Sequence, residues 1–140
     1  MNVLGERERE AVASVLASLE QDVSVMLELG PAAAPVTLFA AGGGEIDPGD
    51  QTRAILEDVC SLSERITLEV VERDEPGPWP RTTIGPGLRY LGMPLGYELT
   101  TLVHGIVEAG RREPSLTAAS RGRLGALERD VAIDVYVTPT

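Results

Sequence analysis

Few side chains in this sequence are suited to chemistry, and each stands alone. Cys60 is the single cysteine and His104 the single histidine. Thiol–disulfide exchange needs a second sulfur to resolve the mixed disulfide, and the chain has none. A reactive thiolate also favours a helix N-terminus or a cationic neighbour. Cys60 instead falls mid-helix beside Glu57 and Glu64, so it reads as a small buried hydrophobe. His104 shares a helix face with Thr100, Thr101 and Glu108, away from the apolar stripe. Without an Asp, Cys or second His at helical spacing, it reads as solvated rather than as a base or ligand. The run Gly42-Gly43-Gly44 invites a phosphate cradle, but no Gly-Lys-Ser/Thr follows and no G-x-G-x-x-G contains it. Glu45, Asp47 and Asp50 invite calcium, but they lack the alternating ligands and closing glutamate of a calcium loop. These residues therefore predict no catalytic, cofactor-binding or metal site in this chain.

The elements that would carry them are legible from periodicity. Val12, Val15, Leu16 and Leu19 lie at helical spacing and predict a helix over Glu6 to Glu20, with the charged run Glu6–Glu10 as its solvated start. Val23–Leu29 and Val36–Ala40 are strand candidates across Gly30-Pro31, a pattern that suggests a hairpin. Asp50 is the expected N-cap of a helix running to about Ser63, with Ile55, Val59, Leu62 and Ile66 as its apolar stripe. Ile66–Val71 reads as a strand. Arg81–Ile84 and Leu88–Leu91 flank Gly85-Pro86-Gly87 as a β-hairpin, entered through Trp79-Pro80. Tyr97–Ala109 reads as a helix closed by Gly110, its core side formed by Leu99, Leu102, Val103 and Ile106. Ser115 caps a further helix to about Leu127, weakened by Gly122 and Gly125 and so in need of tertiary packing. Val131–Val137, apolar at six of seven positions, reads as a strand buried on both faces, which Pro139 would end.

The totals bound the function. At 140 residues the chain holds one ordinary core, or one small domain and part of another. A net charge of −10 argues against nucleic acid or an anionic membrane as partner. No apolar run approaches a bilayer span, and the N-terminus lacks an export signal, so the cytoplasm is the expected compartment.

Two segments bring a family resemblance. Arg89-Tyr-Leu-Gly-Met-Pro-Leu-Gly-Tyr-Glu-Leu99 resembles the R-[FY]-x-G-x-P-x-G-[HY]-E-[FL] segment of two related families. These are the tandem-thioredoxin protein disulfide oxidoreductases (glutaredoxin-like) and the N-terminal domain of the alkyl hydroperoxide reductase flavoprotein subunit. Val137-Thr-Pro-Thr140 is similar to the oxidoreductases' V-T-P-T run, where C-P-x-C follows. The resemblance, covering about Val36 to Thr140, implies an α/β thioredoxin-like fold, a mixed sheet flanked by helices. The first helix and strand of a second, incomplete unit would follow. It divides the chain into a domain over 1–110, a linker over 111–115 and the start of a second domain over 116–140. It assigns Pro80 the structural role of the family's cis-proline. It also places Ile46-Asp47-Pro48-Gly49 where the first unit's C-x-x-C would stand, so that unit is expected to be redox-silent.

On this resemblance the active pair, C-x-x-C or selenocysteine-x-x-C, would follow Thr140. A truncation, a naturally short protein, or a UGA selenocysteine codon translated as a stop would each give this terminus. The implied partner is a protein disulfide substrate or redox partner, with no cofactor held by this chain. A homodimer through Val131–Val137 is the expectation for the chain alone. The alternative is a complete, non-catalytic thioredoxin-like docking module.

Overall fold

A computed structural model of the chain describes residues 3–31, 38–39 and 45–137. The phosphate-cradle candidate, Gly42 to Gly44, lies outside the described residues, as does most of the Val36–Ala40 strand candidate. Helix α1 (Glu6–Leu16) leads into β1 (Val23–Leu29), then the short β2 (Leu38–Phe39) and β3 (Glu45–Ile46). Helix α2 (Pro48–Cys60), β4 (Ile66–Glu72), the hairpin β5 (Arg81–Ile84) and β6 (Leu88–Leu91), α3 (Tyr97–Ala109) and α4 (Ala118–Gly125) follow.

Four strands form one mixed sheet in the order β4-β1-β5-β6. Strand β1 runs parallel to β4, with Val25 beside Leu68, and antiparallel to β5, with Leu27 beside Thr82. The expected hairpin between Val23–Leu29 and Val36–Ala40 does not form. Strand β1 spends both edges on β4 and β5, and Leu38–Phe39 pairs with Glu45–Ile46 in a separate two-stranded sheet. The Gly85-Pro86-Gly87 turn joins β5 to β6 as predicted, and Gly85 takes φ 54°, where a side chain would be strained.

Alternation sorts the sheet into two unlike faces. Val23, Val25, Leu27, Leu29, Ile66 and Ile84 on one face join Leu16, Ile55, Leu56, Val59, Leu102, Val103 and Ile106 of the helices in a single core. The cross-strand registers place Ser24, Met26, Glu28, Thr67, Glu69, Val71, Arg81, Thr83, Arg89 and Leu91 on the other. Among the described residues no helix covers that second face, and Ser24, Thr67, Glu69, Arg89 and Leu91 are exposed. The cause lies in the Arg73–Pro80 connection, which crosses from β4 to β5 as a proline-broken loop without a helix.

Buried polar contacts tie the helices together. The Asp58 carboxylate of α2 accepts the backbone N–H groups of Val3 and Leu4 at 2.8 and 2.9 Å and pairs with Arg9 of α1. Gly110, at the end of α3, accepts from the Glu20 and Gln21 N–H groups at 3.0 Å each, fixing the entry to β1.

Two expectations fail beyond Gly110. Helix α4 forms, but none of its residues is buried, so the described residues do not supply the packing that two glycines demand. Its hold is local, Thr117 Oγ1 accepting from the Ser120 N–H at 3.2 Å. Residues 131–137 belong to no strand and are exposed throughout. The strand predicted there has no sheet to enter within the described chain.

Candidate functional site

Two structural facts converge on one end of the sheet, where parallel strands β1 and β4 finish and α2 begins. Ligands of open α/β sheets bind at such an end. The helix opens on Asp47, not the predicted Asp50: Asp47 is extended (φ −79°, ψ 117°) and Pro48 occupies the first turn. Asp47 Oδ1 accepts the Asp50 N–H at 2.8 Å. The start of α2, Ile46-Asp47-Pro48-Gly49, therefore carries no sulfur, and its cap is a carboxylate. An N-terminal helix dipole stabilises a carboxylate as it does a thiolate, but a carboxylate cannot exchange with a disulfide.

At the same end of the sheet, on its open face, lies a charged trio. Glu28, at the end of β1, is only 3% exposed. Its Oε1 accepts from Arg73 Nε at 3.0 Å and Nη2 at 2.6 Å, and its Oε2 from Arg81 Nε at 2.5 Å. The bond from Arg81, helped by that from Arg73, outweighs burial and holds the Glu28 carboxyl down at about 2. The same bond to Glu28 raises the Arg81 pKa above its ordinary value. The Arg81 guanidinium stacks over the Trp79 ring at 4.9 Å, and Trp79 Nε1 donates to the Glu75 carbonyl at 2.9 Å. The Trp79–Pro80 peptide is cis and leads directly into β5. Packing around the indole is close: a Cβ on Gly30 would stand 2.8 Å from the Arg73 carbonyl and from Trp79 Cδ1. Arg53 of α2 pairs with Glu72 of β4 across the same end.

Cys60 sits at the opposite end of α2, roughly 18 Å away by the helical rise. It is buried, and burial pushes its thiol up to about 12. At neutral pH burial therefore keeps the side chain a thiol. His104 is exposed on α3. Among the described residues, Cys60, His104 and Asp47 thus stand apart from one another. Among the described residues no group of three or more His, Cys, Asp or Glu is arranged to hold a metal ion.

Sequence reasoning passed over Glu28, Arg73 and Arg81. A signal existed: Glu28 is the one charge in the apolar run Val-Ser-Val-Met-Leu-Glu-Leu29, and arginines bracket the proline-rich connection. A carboxylate buried at the end of a central strand needs cationic partners of this kind.

The four-stranded mixed sheet with helices on one face is a thioredoxin-like fold. No family model matches the chain. It is 28% identical over 97 residues to the F component of alkyl hydroperoxide reductase from Pseudomonas aeruginosa, covering 65% of this chain and 19% of that protein. It is 23% identical over 105 residues to an NADH dehydrogenase of Bacillus subtilis, covering 74% of this chain and 21% of that protein. The chain thus spans about a fifth of the length of these curated relatives. A protein disulfide oxidoreductase of Aeropyrum pernix superposes with a TM-score of 0.71 at 20% identity, over 90% of this chain and 57% of that one. The NTD_N/C domain of the Enterococcus faecalis reductase AhpF superposes with 0.70 at 20% identity, over 90% and 62%. Both resemblances read from the sequence, to the disulfide oxidoreductases and to the reductase N-terminal domain, are found among these neighbours. No helix is long and apolar enough to cross a membrane among the described residues.

Proposed function

We propose that this chain is the non-catalytic, thioredoxin-like half of a thiol–disulfide oxidoreductase and serves to hold a redox partner or protein disulfide substrate. The observation that carries the reading is Asp47. A carboxylate caps the helix at the place where the thioredoxin-like resemblance puts a C-x-x-C, and the chain's single cysteine is buried at the far end of that helix. What remains at the site is a binding surface: the Trp79–Arg81 stack, the half-exposed Arg73 and the start of α2.

In this reading the helix–strand stretch 116–137 begins a second thioredoxin-like unit. The exposure of Leu124, Leu127, Val131, Ile133 and Tyr136 supports it, since these are side chains for which the described residues supply no cover. The reactive thiol, or a selenol encoded by UGA, belongs to that second unit beyond Thr140. In the 140-residue chain alone the same stretch is available to a second copy. The single unpaired cysteine fits a cytoplasmic setting.

The test is an insulin-reduction assay on the 140-residue chain. No turnover is expected, and Cys60→Ser should change nothing. Turnover surviving in Cys60→Ser would overturn the assigned silence. The DNA following the Thr140 codon tests the other half of the proposal: the expected continuation encodes Pro-x-Cys and a thioredoxin-like remainder. An in-frame stop with no such continuation would favour the alternative, a docking module with no redox role of its own.

A further inference from the structure

The described residues contain a strand-forming segment without a sheet and a sheet edge without a strand. Segment 131–137 alternates β-branched Val131, Ile133, Val135 and Val137 with Ala132, Asp134 and Tyr136. That alternation matches the two faces of the sheet already built, one largely apolar under its helices and one mixed and open. The sheet ends at β4 on one side and β6 on the other.

The charges choose between these edges. On β4 the open face presents exposed Glu69 at its middle, opposite or diagonal to Asp134 in any register that keeps the faces matched, and the exposed Glu72 lies nearby. Like charges directly opposite are destabilising. On β6 the only charge is Arg89, exposed on the open face, and Leu88 and Leu91 are 39% and 64% exposed. With Asp134 opposite Arg89, the four β-branched residues of the segment fall on the helix-bearing face with Leu88 and Tyr90. The exposed Leu95 and Tyr97 border the same edge.

We infer that in the 140-residue chain segment 131–137 adds to the β6 edge of a second copy, which returns its own segment in a closed, two-fold exchange. Charge favours another copy as the occupant. Residues 1–110 carry eighteen acidic against seven basic residues, whereas 111–137, the stretch that carries the segment, is nearly balanced with five arginines against four acidic residues, so it meets that body with little repulsion. The inference rests on reading 131–137 as a strand awaiting a sheet, and is independent of redox silence.

Sedimentation of the full 140-residue chain over a wide concentration range tests it. A monomer–dimer equilibrium is expected, with amide protection of 131–137 and Leu88–Leu91 rising together with dimer. Both Arg89 and Asp134 are exposed, so charge reversal leaves each copy folded, which circular dichroism verifies. Arg89→Glu or Asp134→Arg alone should weaken the dimer about tenfold, two cross-strand pairs being lost per dimer. The double exchange should recover most of that loss. A monomer at every concentration, protection of 131–137 in the monomer, or a double variant no tighter than the singles would each overturn the inference. The insulin assay is read separately, so its failure and this one are distinguishable.

Discussion

Two seven-residue stretches of this chain have nearly the same strand-forming character and opposite fates. Val-Ser-Val-Met-Leu-Glu-Leu over 23–29 is a central strand, with Val25 and Leu27 wholly buried. Val-Ala-Ile-Asp-Val-Tyr-Val over 131–137 belongs to no strand, with Ile133 82% and Tyr136 92% exposed. Composition gives a segment the capacity to be a strand, but hydrogen-bond partners on each side decide whether it is one. Strand β1 has β4 and β5 at its edges. Among the described residues, segment 131–137 has neither.

The largest effect that separates the two stretches comes from truncating their apolar side chains. Leu27→Ala should cost about 3–5 kcal/mol in urea unfolding, because the cavity opens inside a closed core. Ile133→Ala should cost under about 0.5 kcal/mol in the monomer, where its side chain is already in water. Comparable costs would mean that 131–137 is packed in solution and would end the contrast.

Next comes Glu28, which distinguishes β1 by a buried charge. Glu28→Gln should destabilise by about 2–4 kcal/mol, since it leaves Arg73 and Arg81 without their shared carboxylate. The sign of the pH dependence follows from the depressed folded-state pKa. The unfolded carboxyl binds its proton near its ordinary value of 4.5, the folded one only near about 2. Stability from this group is thus complete above 4.5, declines as pH falls between the two values, and is gone below about 2. Denaturation midpoints followed over that interval should fall more steeply in the native chain than in Glu28→Gln. Asp134, exposed in the other stretch, should give Asp134→Asn no comparable effect.

A smaller effect sharpens the view of the site. Gly30→Ala places a Cβ against the Arg73 carbonyl, a backbone atom that cannot swing away. A loss of about 1–3 kcal/mol is expected, with a shift in Trp79 emission. The smallest is Asp47→Ala, about 1 kcal/mol for a lost N-cap, measured by thermal unfolding. No gain of disulfide exchange should accompany it, since the cap's removal supplies no sulfur.

Much of the fold was legible because its periodicities are strong. The stripe of α3, the hairpin around Gly85-Pro86-Gly87 and the exposure of His104 follow from residue spacing. Of the expected α2 stripe, only Ile55 and Val59 lie on the helix, which ends at Cys60 before Leu62 and before Ile66 of β4. Cys60 was readable as inert because a lone thiol flanked by acids has no route to a stable thiolate. Less legible was anything decided by neighbours distant in sequence. The β1 edges go to β4 and β5, although the local Gly30-Pro31 break suggested a hairpin with the next strand. The cap of α2 is Asp47 rather than Asp50 because Pro48 fits the first turn and moves the helix start forward by three residues. The Glu28 trio joins residues 45 and 53 positions apart, beyond the reach of local spacing. The fate of 131–137 turns on which edge it meets, which no pattern within seven residues can reveal.

The stack of Arg81 on Trp79 has an optical consequence. Trp79 is the chain's only tryptophan, so indole emission, excited at wavelengths beyond tyrosine absorption, originates wholly at the end of the sheet where α2 begins. With a guanidinium against the ring and the indole N–H bonded to the Glu75 carbonyl, that light is tuned by the same groups a docked molecule would disturb. The protein therefore carries an intrinsic fluorophore at its candidate surface, and titrations there need no attached dye.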